Sequence, residues 1–137
     1  MPGVLCQACP AKGGGHLHMI ISTVDKTLSS IMRDFKKFTA SQLLKEIDSP
    51  YESRRDWMLE LFGQVAERLE RARNYKVWQD GNHPELLYSN KFIEQKLNYL
   101  HENPVAAEIV ENPGDYLYSS ARDYYCDRKG LLEVSLI

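Results

Sequence analysis

The 137-residue chain lacks several features that would place it in a special class. It has no apolar run that approaches the ~18 residues needed to cross a bilayer, and its beginning has neither the charged start nor the apolar stretch of a signal peptide. Its three cysteines are better interpreted as free thiols than as a disulfide framework. We therefore expect a cytoplasmic protein with no membrane partner.

The chain also lacks the surplus of positive charge that is typical of DNA-binding proteins, because its formal net charge is −2. The charge is unevenly distributed. Lys26–Lys76 contains eleven Lys and Arg against eight Asp and Glu, whereas Val77–Ile137 contains five against ten. This uneven distribution still allows a basic patch on one face, although the charge alone is weak support for nucleic-acid binding.

The hydrophobic pattern predicts one α+β domain that begins after an irregular leader. Residues 1–15 contain two prolines and four glycines without periodicity, which indicates irregular structure. His16–Ser22 is a short apolar run between turn signals, as in a buried strand. Apolar residues then recur at helical spacing over Leu28–Ile47, and a second helix is predicted from about Ser53. Residues 16–137 would form a single domain.

The second half of the chain predicts a third helix between shorter elements. Ser89 or Asn90 would cap this helix, which runs from Lys91 to about Glu102 and ends because Pro104 disfavours helical geometry in Asn103. Turn-rich sequence with about one helical turn follows. Two short strands are predicted before the helix, at Tyr75–Gln79 and Leu86–Tyr88.

Two histidines share one face of the predicted strand. Because side chains alternate along a strand, His16 and His18 point to the same side and can reach one metal ion from a rigid support. A pair of exposed or hydrogen-bonded histidines explains the same spacing, so this pattern alone leaves both readings open.

The third helix carries a tyrosine outside its main apolar stripe. At about 100° per residue, Tyr99 lies roughly 120° from the centre of that stripe, and Asn103 stands nearly above it one turn later. An amide oxygen suits a hard divalent cation. Tyr99 can equally be a packing aromatic with a hydrogen-bonded hydroxyl.

A basic face on the first helix is the natural candidate for binding phosphates. It consists of Arg33, Lys36 and Lys37, and the alternative is an ordinary solvated helix face. Trp78 could stack on an unpaired base, but we expect it to pack in the core.

Several segments resemble the single-tyrosine HUH transposases, in particular those associated with repetitive extragenic palindromes. They are His16-Leu17-His18 with its apolar run, IMRDFKKFTA, VWQDG, KLNYLHENPVAAEIVENPGDYLYSSARDYY and GLLEV. The resemblance covers about residues 16 to 134. The block Y-L-H-x-N-P-V and the later Y-S-S-A are far more specific than the histidine pair.

The resemblance implies a ferredoxin-like, RRM-like antiparallel sheet with packed helices. It implies an enzyme that cuts and rejoins single-stranded or hairpin DNA through a covalent 5′-phosphotyrosine. Tyr99 would be the nucleophile, with Mg²⁺ or Mn²⁺ held by His16, His18 and Asn103. The family pattern has further strands before the histidine motif, so the sheet is expected to lack its N-terminal strands. Unpaired edges would promote dimerisation, swapping or aggregation.

Two other functions fit the same residues. Cys6 and Cys9, followed by His16 and His18, provide four side chains that suit zinc and would make a small structural zinc site in a binding module, although the H-x-H spacing is tighter than usual. An inactive remnant that only binds DNA is the other alternative.

Overall fold

The computed structural model describes residues 4–11, 14–68 and 74–137, and the side chains of residues 15–68 and 74–137. Helices predominate beside one two-stranded antiparallel sheet, so the described chain has α+β composition. None of its described helices is both long enough and apolar enough to span a bilayer. The elements in chain order are β1 (Val4–Ala11), β2 (Gly14–Ile21), α1 (Leu28–Ile47), α2 (Arg55–Glu67), α3 (Asn90–Ala106), a 3₁₀ turn (Pro113–Asp115) and α4 (Ala121–Tyr125).

The chain divides into two compact units. One unit comprises Met1–Asp25 and Glu85–Ile137, and the other comprises Lys26–Pro84. The single domain predicted for residues 16–137 stays a prediction, and each unit is described by itself.

The predicted histidine strand is confirmed, whereas the irregular structure predicted for residues 1–15 is wrong over Val4–Ala11, which forms β1. β1 pairs antiparallel with β2, in a register that runs from Val4 opposite Ile21 to Ala11 opposite Gly14. A strand that contains Pro10 is tolerated because both strands of a two-stranded sheet are edges, where a missing N–H need not break a ladder. Since α3 contacts β1, the hairpin has the support that an isolated hairpin lacks in water.

The unit Lys26–Pro84 is built on α1 and α2, which pack on each other. Thr27 begins α1, where its side-chain oxygen accepts from the Ser30 N–H at 3.2 Å and satisfies one free donor of the first turn. Ile47 and Ala66 are buried. The extents of both helices therefore agree with the prediction, although Phe38 and Trp57, on their apolar faces, are 65% and 61% exposed.

The strands predicted at Tyr75–Gln79 and Leu86–Tyr88 are absent from the described residues, where both segments are irregular. Trp78 is instead held by α1: its indole N–H donates to Thr39 Oγ1 at 2.9 Å, and its ring centroid is 5.9 Å from that of Phe35. Aromatic and β-branched side chains that have no neighbouring strand to pack against gain more free energy by packing on a helix. The expected packing role of Trp78 agrees with these contacts.

Helix α3 begins as predicted but ends later. The side chain of Ser89 accepts from the Phe92 N–H at 3.2 Å, whereas Pro104 lies inside the helix instead of ending it. Pro104 is fully buried, and the Asn103 carbonyl still accepts from the Ala107 N–H at 2.9 Å. The free energy gained by burying the ring of Pro104 outweighs the preference of the preceding residue for extended backbone. The helix also has only a short turn left after Pro104, which limits the cost of the lost hydrogen bond.

Replacement of the cap of α3 tests how much the start of this helix contributes. Ser89→Ala should lower the free energy of unfolding by about 1 kcal/mol, because the first turn loses a hydrogen-bond acceptor for its backbone N–H groups. Urea unfolding followed by circular dichroism measures the change. Ser89→Asp, which keeps a capping oxygen, should stay near the wild-type value, and equal losses in both variants would contradict the capping role.

Candidate metal and tyrosine site

The strand β2 presents His16 and His18 side by side. Their ring centroids are 4.8 Å apart with an interplanar angle of 87°, and both side chains lie on one face, as the alternation along the strand requires. His16 is exposed, whereas His18 is half-buried. The pair therefore lies at the surface, with one imidazole deeper than the other.

The phenol of Tyr99 stands against this pair. The ring centroids of His18 and Tyr99 are 5.8 Å apart in an edge-to-face arrangement, and Tyr99 is 56% exposed. Leu97 and Leu100 explain the direction, because they are 6% and 5% exposed and fix the buried side of α3. Tyr99, outside that stripe, consequently points to the surface beside the histidines.

His18 Nε2 and Asn103 Nδ2 are buried and have no hydrogen-bond partner among the described residues, and the same is true of Arg122 Nε and Asp123 Oδ2. Asn103 lies one helical turn after Tyr99 in α3. Unsatisfied buried polar atoms cost free energy and are rare in folded proteins. The nitrogen and oxygen of an amide are assigned by their surroundings, so the Asn103 group can equally turn its oxygen inward. An imidazole nitrogen without a partner, together with an amide that turns its oxygen to the position without a partner, fits a divalent cation.

Burial lowers the pKa of His18 below its ordinary value, and the neighbouring charge of His16 lowers it further. The imidazole is therefore neutral at neutral pH and keeps the lone pair that a metal ion needs. Among the side chains that the structure describes, no three His, Cys, Asp or Glu form a metal cluster. The amide of Asn103 would have to complete the ligand set.

Sequence reasoning missed a buried hydrogen-bonded group on the other side of α3. His101 is completely buried; its Nε2 is 3.0 Å from Ser120 Oγ, and its Nδ1 is 3.2 Å from the Tyr125 hydroxyl oxygen. The Tyr125 hydroxyl donates to Asn98 Oδ1 at 3.3 Å. A signal was available, because His101 lies four residues after Leu97 on the apolar stripe.

The environment sets the protonation of both rings in this group. Burial lowers the pKa of His101 to about 4, which keeps the imidazole neutral, with one nitrogen that donates and one that accepts. Burial, with Glu102 and Tyr124 nearby, raises the pKa of Tyr125, so its hydroxyl keeps its proton.

The predicted basic face lies in the other unit and is partly engaged within that unit. Lys36 Nζ donates to the carbonyl oxygens of Gln79 and Gly81 at 3.0 Å each, and Arg33 pairs with Asp34 at 3.0 Å. Lys37 is exposed. Lys36 thus has a structural role, and DNA binding by the three residues stays a prediction.

The alternative zinc site rests partly on residues whose side chains the structure does not describe. Cys6 and Cys9 lie in β1, outside the described side chains. The backbone register pairs Cys9 with His16 and Cys6 with Met19. Only one of the two cysteines therefore occupies a register position directly opposite a histidine, and the zinc site stays a prediction.

Comparisons with protein-family models, with curated proteins and with solved structures find no match.

The neutral state of His101 predicts a pH-dependent stability. The pKa is lower in the folded protein than the ordinary 6.5, so the stabilising contribution is complete above pH 6.5 and is lost as the pH falls towards about 4. Between about pH 7.5 and about pH 5 we expect the free energy of unfolding to fall by about 2 kcal/mol from this group. Urea unfolding at both pH values measures it.

The control for this pH dependence is the exposed histidine His83. His101→Gln should flatten the decrease, whereas His83→Asn should keep it; asparagine tolerates the left-handed backbone found there, with φ at 45°. An unaltered decrease in His101→Gln would assign the pH dependence to other groups.

Proposed function

We propose that this protein is a metal-assisted tyrosine DNA strand transferase that cuts and rejoins single-stranded or hairpin DNA, as the single-tyrosine HUH transposases do. The observation that carries the proposal is the surface contact between the rings of His18 and Tyr99, 5.8 Å apart. Two further features support it: the paired imidazoles of β2, and the buried Asn103 Nδ2, which has no partner among the described residues.

The chemistry assigned to these residues is a transfer of the DNA backbone to Tyr99. The phenolic oxygen forms a bond to phosphorus, the bond from phosphorus to the 3′ oxygen breaks, and the phenolic proton leaves to solvent. The 3′ oxygen takes up a proton and becomes a hydroxyl. Because the phosphotyrosine keeps the energy of the broken ester, the strand can be rejoined without ATP.

A divalent cation such as Mg²⁺ or Mn²⁺, held by His16, His18 and Asn103, would neutralise a nonbridging phosphate oxygen and stabilise charge in the transition state. The residues themselves orient the reaction. The exposed phenol of Tyr99 is accessible to a strand of DNA, and the lowered pKa of His18 keeps that imidazole available as a ligand.

The proposal extends to the fold and the assembly. β1 and β2 would belong to a ferredoxin-like sheet, and an unpaired strand edge offers hydrogen-bonding groups to a second copy. Large exposed apolar side chains favour such an association, among them Leu86 and Tyr88 in one unit. A homodimer is therefore part of the proposal.

The nucleophile is tested with hairpin and unpaired oligonucleotides in the presence of Mn²⁺. Wild-type protein should form a covalent adduct that survives denaturing electrophoresis, and Tyr99→Phe should form none because it lacks the attacking oxygen. Tyr118→Phe is the matched control, since Tyr118 is 58% exposed, close to the 56% of Tyr99.

The outcomes of this experiment separate the functions. An adduct retained in Tyr99→Phe would assign the chemistry to another residue. Failure of the wild type on every oligonucleotide, with DNA binding intact, would favour the inactive remnant.

The ligand set is tested by binding of Mn²⁺, followed by electron paramagnetic resonance. His18→Ala and Asn103→Ala should each weaken binding by roughly ten- to a hundredfold, because each removes an inward ligand atom. Asn103→Asp should bind at least as tightly as the wild type, since a carboxylate adds negative charge. His83→Asn is the control and should not change the affinity.

A zinc titration of the same proteins tests the alternative site. Tight stoichiometric zinc that is lost in Cys6→Ser, together with Mn²⁺ binding indifferent to Asn103, would favour the zinc-binding module over the strand transferase.

A further inference from the structure

A chain of hydrogen bonds between side chains joins α3 to the segment that contains Ser120 and Tyr125. Three hydrogen bonds run from Ser120 through His101 and Tyr125 to Asn98, over distances of 3.0, 3.2 and 3.3 Å. His101 has no exposed surface, and Ser120 is 4% exposed, so water does not compete for the bond between them. Tyr125 is 55% exposed and Asn98 is exposed, so the other end of the chain lies at the surface. This chain of hydrogen bonds lies within one unit, and the proposed strand-transfer chemistry does not use it.

The three hydrogen bonds are compatible with one consistent direction. The Tyr125 hydroxyl donates to Asn98 Oδ1. In the His101 tautomer that carries its proton on Nδ1, the Tyr125 oxygen accepts from Nδ1–H, and Nε2 accepts from the hydroxyl of Ser120. Each of the two middle groups donates once and accepts once. One neutral tautomer of His101 satisfies the whole chain.

Directed bonds restrict α3 in a way that apolar packing does not. The other buried residues of this face, Leu97, Leu100 and Pro104, gain from contact area and tolerate small rotations. Hydrogen bonds weaken steeply when their angles change. Tyr99 lies between Asn98 and His101 in the helix, so the chain constrains the backbone on both sides of the phenol.

We propose that His101, Ser120 and Tyr125 are positioning residues for Tyr99. Their hydrogen bonds hold α3 at the rotation that keeps the phenol beside His18, and they act through Asn98 and the helix backbone without touching DNA. This role rests on the proposed strand-transfer function. Misplacement of a reacting group by about 1 Å can cost roughly a hundredfold in rate, so a rotational restraint has a measurable effect.

The test compares two neighbouring tyrosines of α4. Tyr125→Phe removes the hydroxyl that receives from His101 and donates to Asn98. Tyr124→Phe is the matched control, because its hydroxyl accepts from the backbone N–H of Ile137 at 3.1 Å, outside the chain. Both replacements keep the ring, so both variants should fold.

The rate of adduct formation at saturating hairpin DNA should fall roughly tenfold or more in Tyr125→Phe, with the Kd for DNA changed by less than about twofold. Tyr124→Phe should match the wild type. Ser120→Ala, which removes the other end of the chain, should lower the rate in the same way. Loss of the DNA affinity and the rate together would indicate a purely structural role and overturn the proposal.

A second measurement needs neither DNA nor metal. The edge-to-face rings of His18 and Tyr99 should give a nuclear Overhauser effect in the wild type and in Tyr124→Phe, and a weaker one in Tyr125→Phe. An unchanged effect in Tyr125→Phe overturns the positioning role. If the wild type forms no adduct, the proposed function fails, and the Overhauser comparison alone decides the positioning role.

Discussion

The burial of one side of α3 is the constraint on which the candidate site depends. Leu97, Leu100, His101 and Pro104 recur at helical spacing and bury one side of the helix. Once that side is fixed, geometry leaves Tyr99 on the surface. The site is therefore a consequence of how the core is packed, and the phenol of Tyr99 owes its direction to residues on the opposite side of the helix.

The polar side chains on the two sides of α3 differ in whether their atoms have hydrogen-bond partners. Both ring nitrogens of His101 have partners, as expected for a fully buried imidazole, whereas His18 Nε2 and the amide nitrogen of Asn103 have none among the described residues. Buried polar atoms without partners lower the stability of a fold. Among the described residues Arg122 Nε and Asp123 Oδ2 lack partners as well, so the case for a ligand at His18 rests on the second imidazole, His16, beside it.

The sequence predicted the elements whose signals are local. Apolar periodicity and a capping threonine or serine identified α1 and the start of α3, and alternation placed His16 and His18 on one face. Predictions that depended on tertiary partners were wrong: β1 exists because β2 offers it an edge, and α3 continues through Pro104 because the ring is buried. The hydrogen-bonded state of His101 could not be predicted, since its partners come from a segment about twenty residues later.

Because the net charge is low, attraction of a polyanion to the candidate site would have to come from charges at that site. With a formal charge of −2, and five Lys and Arg against ten Asp and Glu after Lys76, long-range attraction contributes little to holding a polyanion near Tyr99. Lys36 is already engaged by backbone carbonyls, which reduces what the basic face of α1 can offer. A phosphate at Tyr99 would then depend on positive charge provided at the site itself. Imidazoles and an amide carry no negative charge, so they would accept a divalent cation without cancelling its charge, as carboxylate ligands would. In the proposed function, such ligands would keep the cation electrophilic toward phosphate.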